Sequence, residues 1–242
     1  MNIKYFEPSK NIFSKFANLV LKYSSTPPPD WVTTPHNKSF IDDPLFLNGY
    51  NTAVKNIGND YRIPWRVHQA IWAAHHCLNV KGDFVELGTG KGFIMQAVLA
   101  SIPNWNKLDK QVWLYDTFKK FSLTGKGKAI HDQYYADDLQ SVQSYFSKWN
   151  KINFIQGDIL MSIIDTSPEE ISFLHVDLND GEVEVEILKK IFHKISRSGI
   201  ILLDDYANLG EENSYRLHNI FFANFGYRIL TTPSGQGIII KN

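Results

Sequence analysis

The stretch "FLHVDLNDGEVEVEILKKIFHKISRSGIILLDD", residues 173–205, decides the fold. It opens with a short apolar run ending in Asp177 and closes with a second, Gly199 to Leu203, that ends in the adjacent pair Asp204 and Asp205. Between them Val183, Ile187, Leu188, Ile191 and Ile195 recur at helical spacing and share one face. Two apolar runs joined by an amphipathic helix form a strand–helix–strand unit, whose strands lie parallel in one sheet through a right-handed crossover. Asp177 and Asp204 then end neighbouring strands about 4.8 Å apart, so that their carboxylates can converge on one point.

Working outward, the same alternation repeats. Short apolar runs occur at "FVELG" (84–88), "QVWLYD" (111–116) and "INFIQGD" (152–158), with helical candidates near 91–101, 133–148, 181–195 and 212–224. The segment from Pro64 has a proline suited to a first helical turn and then Val67, Ile71, Ala74 and Leu78 on one face. The tail, "YRILTTPSGQGIIIKN", reads as two strands around a Pro-Ser-Gly turn. The expected fold is α/β: a doubly wound, Rossmann-like, seven-stranded sheet, mostly parallel with a C-terminal antiparallel hairpin. Residues 61–242 form the main domain. Residues 1–60 form an N-terminal extension, with a short helix marked by Ile12, Phe16, Leu19 and Val20 and a proline-rich stretch at 24–35.

Composition narrows the function classes. The 242 residues are 43% hydrophobic and 21% charged, ordinary values for a globular protein. Lys+Arg and Asp+Glu are equal at 25 each, so no overall basic field points to nucleic acid or an acidic membrane. One cysteine, Cys77, excludes an internal disulfide and a multi-cysteine zinc site. The start lacks the apolar core of a signal peptide and no apolar stretch matches a membrane span, so a cytoplasmic location is expected.

In open parallel sheets, ligands bind beyond the carboxyl ends of the strands. The first such end is "FVELGTGKGF", with Glu86 followed by Gly88, Thr89, Gly90 and Gly92 at the start of a helix. Glycines there let the backbone turn sharply and let a ligand approach the helix N-terminus. Phe93 stands where a dinucleotide motif would have its third glycine, so the spacing suits S-adenosylmethionine (SAM) better than NAD. Asp116, followed by Thr117, can take both ribose hydroxyls. Asp158 can accept the adenine amino group while Ile159 packs the ring.

Asp204 and Asp205 can be capping a turn, pairing with a base, or holding a cation. No lysine or arginine lies within five residues of the pair, although a distant base could fold in. Three aspartates gathered with Asp177 raise one another's pKa unless a cation neutralises them. An all-oxygen set without histidine or cysteine spacing favours Mg²⁺.

From Pro64 to Tyr206 the chain resembles the macrocin O-methyltransferase family of class I SAM-dependent enzymes. "GDFVELGTGKG" is similar to the family's glycine-rich motif, "YDTF" to its Asp-Ser-Phe, and "VDLNDGEVE…GIILLDDYA" to its metal-binding segment. Asn179 stands where the family often has a further aspartate. The resemblance implies that Asp177, Asp204 and Asp205 ligate Mg²⁺, and that Asp177 also accepts the substrate proton. His175, two residues back on the same strand face, is the second candidate base. The expected activity is SAM-dependent methyl transfer to a hydroxyl of a sugar-like or natural-product-like small molecule, with no nucleic-acid or membrane partner. The alternatives are a metal-independent small-molecule methyltransferase and a non-catalytic SAM-binding protein. Residues 117–138 read as a lid over the cofactor edge. The aromatic N-terminus (Trp31, Phe40, Phe46, Tyr50, Tyr61, Trp65) reads as a wall of the acceptor pocket or a homodimer contact.

Overall fold

The computed structural model describes residues 30, 32, 34, 36–119 and 138–242. The expected helix over 12–20, the residue Trp31 and nearly all of the expected lid lie outside the described residues.

Seven strands form one sheet in the order β3-β2-β1-β4-β5-β7-β6. The strands are β1 (Asp83–Leu87), β2 (Val112–Asp116), β3 (Ile152–Gln156), β4 (Ile171–Val176), β5 (Ile195–Leu203), β6 (Leu230–Thr231) and β7 (Gly237–Ile240). The first five are mutually parallel, and β7 runs antiparallel to both β5 and β6. The strand order reverses between β1 and β4, which leaves a crevice at their carboxyl ends.

Among the described residues the α-helices are α1 (Pro44–Ile57), α2 (Pro64–Cys77), α3 (Phe93–Ser101), α4 (Leu139–Tyr145), α5 (Ile159–Thr166), α6 (Gly181–Ile191) and α7 (Glu212–Ala223). The strands alternate their side chains between two apolar layers. Phe84, Leu114, Phe173, Ile200, Leu202 and Ile238 face α1 to α4, with Phe46 and Ala53 of α1 in the same core. Val85, Tyr115, Leu174, Val176, Ile201, Leu203 and Ile239 face the other way, with the buried residues of α5 to α7. The central strands are buried on both faces, which is why they read as unbroken apolar runs.

One boundary differs from the sequence reading. Ile195, counted on the face of α6, is the first residue of β5, because the helix gives way to a 3₁₀ turn at Phe192–Lys194. The helices α1 and α5 are not among the helical candidates, although each has a capping aspartate. Asp158 N-caps α5 and Asp43 N-caps α1, each through its carboxylate. None of the helices is long and apolar enough to cross a membrane, among the described residues.

Candidate active site

The period-two alternation that buries Phe84, Phe173, Leu202 and Ile238 also places Glu86, His175, Asp204 and Gln236 on that same face, one step further along the chain or before the strand. They form a buried polar row across the sheet. His175 Nδ1 lies 3.0 Å from Glu86 Oε1, and its Nε2 lies 3.5 Å from Asp204 Oδ1. Gln236 Nε2 donates to Asp204 Oδ1 at 2.7 Å. Four polar side chains buried this deeply are stable only when they satisfy one another.

The acidic end of the row is closed by a residue from outside the sheet. Arg66, in the first turn of α2, reaches over from the same layer. Its Nη1 donates to Asp204 Oδ2 and, at 2.8 Å, to Asp205 Oδ1, while Nη2 donates to Asn208 Oδ1 at 3.1 Å. A distant base does fold in against the aspartate pair, and the pairing and cation-holding readings of Asp204 and Asp205 both have a physical basis here. The position of Arg66 is itself fixed from the N-terminal side. Ile63, the residue before α2, offers no capping side chain, but Asp30 Oδ2 accepts from Trp65 N at 2.5 Å and Arg66 N at 3.3 Å. Asp30 thus serves as the N-cap from a remote part of the chain.

Asp177 follows β4, and its backbone N–H donates to Leu87 O at 2.8 Å. The loop it starts is pinned by Glu184 of α6, which accepts from Leu178 N at 3.0 Å and faces His218 Nε2 at 3.1 Å. One ligand oxygen from each of Asp177, Asp204 and Asp205 lies within 4.8 Å of the others. The three candidate metal ligands are therefore brought together. Their protonation is uneven. Burial pushes Asp177 well above the usual carboxylate range, and repulsion from Asp204 adds to the rise. Asp205 is raised for the same two reasons. Burial would raise Asp204 as well, but Arg66, His175 and Gln236 outweigh it and hold this carboxyl below its ordinary value. His175 is fully buried, which alone would lower its pKa; Asp204 and Glu86 overcome that and push it up to about 10.

A cavity of about 430 Å³ opens at the crevice and joins these groups to the glycine-rich loop. It is lined by Glu86, Gly88, Thr89, Gly90, Asp116, Thr117, His175, Asp177, Asp204 and Asp205, so most of the residues singled out in the sequence share one space. Gly88 shows why the loop needs glycine. Its φ is +84°, and a Cβ there would stand 1.8 Å from the carbonyl oxygen of Asp177. The two strand ends approach so closely that the glycine-rich loop and the acidic cluster are built against each other. Glu86 Oε2 is buried, without a hydrogen-bond partner, in a side chain that lines the cavity.

Two candidates lie elsewhere. Gly92 is absent from the lining; at φ +75° it is the N-cap of α3, and a Cβ there would stand 2.6 Å from the Phe146 ring. Asp158 is likewise outside the lining, its Oδ1 accepting from Leu160 N at 2.9 Å, while its neighbours Gly157 and Ile159 do line the cavity. Asp116 is in the cavity, with Oδ2 accepting from Gly90 N at 2.8 Å and Oδ1 from Phe118 N at 2.9 Å. Its carboxylate shapes the glycine loop as well as facing the space a ribose would fill.

The sequence reading missed Arg66, Asn208 and Gln236. Gln236 has a signal in retrospect, since it shares the parity of Ile238 and so the face of the polar row. Arg66 has none: an arginine in the first turn of an amphipathic helix looks like any solvated charge.

Comparison with known proteins agrees with this geometry. Residues 62–218 match the model of the macrocin-O-methyltransferase (TylF) family, more than half of the chain. The chain belongs to that family. It is a SAM-dependent methyltransferase by membership. No curated protein sequence matches. Among solved structures, the O-methyltransferase NovP is similar at a TM-score of 0.61 and 17% identity, over 95% of this chain and 99% of that one. CalS11, a TDP-rhamnose 3'-O-methyltransferase of calicheamicin biosynthesis, is similar at 0.55 and 13%, over 98% and 96%. The SAH-bound methyltransferase PaMTH1 of Podospora anserina is similar at 0.51 and 11%, over 98% of each chain. At these identities the structural likeness speaks to the fold.

Proposed function

We propose that this chain methylates a hydroxyl of a sugar-like or natural-product-like small molecule, with Mg²⁺ held by Asp177, Asp204 and Asp205. The observation that carries the reading is the convergence of three carboxylates on the same cavity as the glycine-rich loop. NovP and CalS11 are O-methyltransferases, and the second is a TDP-rhamnose 3'-O-methyltransferase, which supports a sugar-like acceptor here.

The donor set fits a hard divalent cation: all ligands are oxygen, and two of the three carboxylates are pushed up by burial and by repulsion from Asp204. When bound, Mg²⁺ would act as a Lewis acid that lowers the pKa of a coordinated hydroxyl. The protein's own residues do the rest. Glu86, Gly88, Thr89, Gly90, Asp116 and Thr117 hold the methyl donor, with Glu86 and Asp116 offering carboxylate oxygens to its hydroxyls. Asp177 takes the acceptor's proton. The acceptor oxygen then bonds to the methyl carbon as the carbon–sulfur bond breaks, leaving S-adenosylhomocysteine (SAH). His175 is the second candidate base, but a ring held protonated between Glu86 and Asp204 has no free electron pair to offer. We assign it the role of fixing Asp204.

The Arg66 contact favours a second reading, in which the guanidinium supplies the positive charge and transfer proceeds without metal. Labelled SAM, a panel of hydroxylated acceptors and a chelator separate the two. The first reading predicts methyl transfer that EDTA abolishes and Mg²⁺ restores; EDTA-resistant turnover would replace it with the second.

A further inference from the structure

Arg66 is the feature of the cavity that a metal site does not need. Its guanidinium touches two of the three candidate ligands, and the oxygens involved leave little room for a second cation. Asp204 Oδ2 is taken by Arg66 and Asp204 Oδ1 by Gln236, so both oxygens of this carboxylate already have donors. Asp205 Oδ1 takes Arg66 and also Asn208 Nδ2 at 2.5 Å. Asp177 has no contact with Arg66, and its one side-chain partner is Asn179 Nδ2 at 3.4 Å. A divalent cation held by Asp204 and Asp205 would compete with Nη1 for the carboxylate oxygens that the guanidinium contacts.

The guanidinium is also built to be a stable occupant rather than a chance visitor. Its side chain is 15% exposed, it donates to three acceptors, and α2 is seated by Asp30 at the turn that carries it. Burial pulls the Arg66 pKa down, and Asp204 and Asp205 more than reverse this, so the charge is always present.

We infer that Arg66 is the resident counterion of the acidic cluster, displaced when a divalent cation binds, and that it sets the metal affinity of this enzyme. The inference rests on the metal reading of the three aspartates given above. Arg66 is a positioning residue in this role. Without metal it holds Asp204 and Asp205 in place through its hydrogen bonds, and on metal binding it swings into the cavity it lines.

The test is Mn²⁺ binding at pH 8, read from the free-ion electron paramagnetic resonance signal, for wild type, Arg66→Met and Arg66→Lys. SAH affinity measured alongside verifies that each variant keeps its cofactor loop. Removal of the competing charge in Arg66→Met should tighten Mn²⁺ binding at least tenfold, and Arg66→Lys, which keeps the charge, should stay much nearer to wild type. Wild type with labelled arginine supplies a reading that needs no variant: the protected guanidinium resonance of Arg66 should collapse when Mg²⁺ is added. Equal or weaker Mn²⁺ binding by Arg66→Met, or a guanidinium signal unmoved by saturating Mg²⁺, would overturn the competition and leave the metal site standing. Mn²⁺ binding by none of the three proteins would overturn both.

Discussion

The two halves of the cavity are built by different means. On the β1–β2 side, backbone makes the site: Gly88, Gly90 and Gly92 all have positive φ, and the loop is tied by main-chain bonds and by Asp116. On the β4–β5 side, side chains make it. Asp177, Asp204 and Asp205 come from strand ends, His175 and Glu86 from neighbouring strands, Gln236 from the hairpin and Arg66 from a helix far back in the chain. A backbone site tolerates almost no added volume and is indifferent to charge. A side-chain site tolerates small changes of shape and is governed by charge. The difference predicts which substitutions damage which function.

The largest effect should come from the backbone half. Gly88→Ala forces a Cβ into the Asp177 carbonyl at a φ that L-residues rarely adopt. The variant should lose SAM binding altogether and melt far below wild type, as calorimetry and a thermal scan would record. Retained SAM affinity in a folded Gly88→Ala protein would mean that the two strand ends do not touch as described.

Next in size, two carboxylates of the acidic half should part company in stability. Asp204 is bound by Arg66, His175 and Gln236, so Asp204→Ala strands buried charges and should cost about 3–5 kcal/mol. Asp177 suffers repulsion without a cationic partner in contact, so Asp177→Asn in metal-free protein should melt no lower than wild type. Denaturant titrations of the two variants would show whether the order is reversed.

A smaller and graded effect is expected with pH. His175, raised to about 10, contributes stability that is complete below its unfolded pKa near 6.5 and is lost as pH rises through 10. Asp30 is pushed up to about 6 by burial, although the Trp65 and Arg66 amides oppose the rise, and its contribution is complete below 3.8 and gone above 6. Both act in one direction, Asp30 between about pH 4 and 6 and His175 between about pH 6.5 and 10, so the melting temperature of metal-free protein should fall across both windows. A flat profile would show that the polar row is not charged as described. Smallest of all, Asp30→Ala removes the remote cap of α2 and should cost about 1 kcal/mol.

The same contrast explains what the sequence made legible. The strands announced themselves as apolar runs because the sheet is covered on both faces, and the glycine loop because its geometry admits few other residues. The three aspartates were legible because they sit at strand ends of one crossover unit, whose parallel pairing brings them together. Asp158 was ambiguous in the sequence because an aspartate before a helix serves equally as cap or ligand contact, and the structure shows it as the cap of α5. Gln236 was legible only through its parity with Ile238, whereas Arg66 and Asn208 were illegible as site residues because their role depends on tertiary approach. Nothing local distinguishes Arg66 from a solvated charge, and only the seating of α2 against the sheet gives it the aspartates as partners.

The central claim is that the glycine loop holds the methyl donor while the acidic cluster runs the chemistry. Asp177→Asn tests it most directly, since the amide keeps the shape and loses charge and basicity. SAM affinity and the single-turnover rate of methyl transfer, measured on the same protein, are the two readings. The account predicts SAM affinity within a few-fold of wild type and a rate lower by about two to four orders of magnitude. A rate within a few-fold of wild type, with SAM still bound, would contradict it.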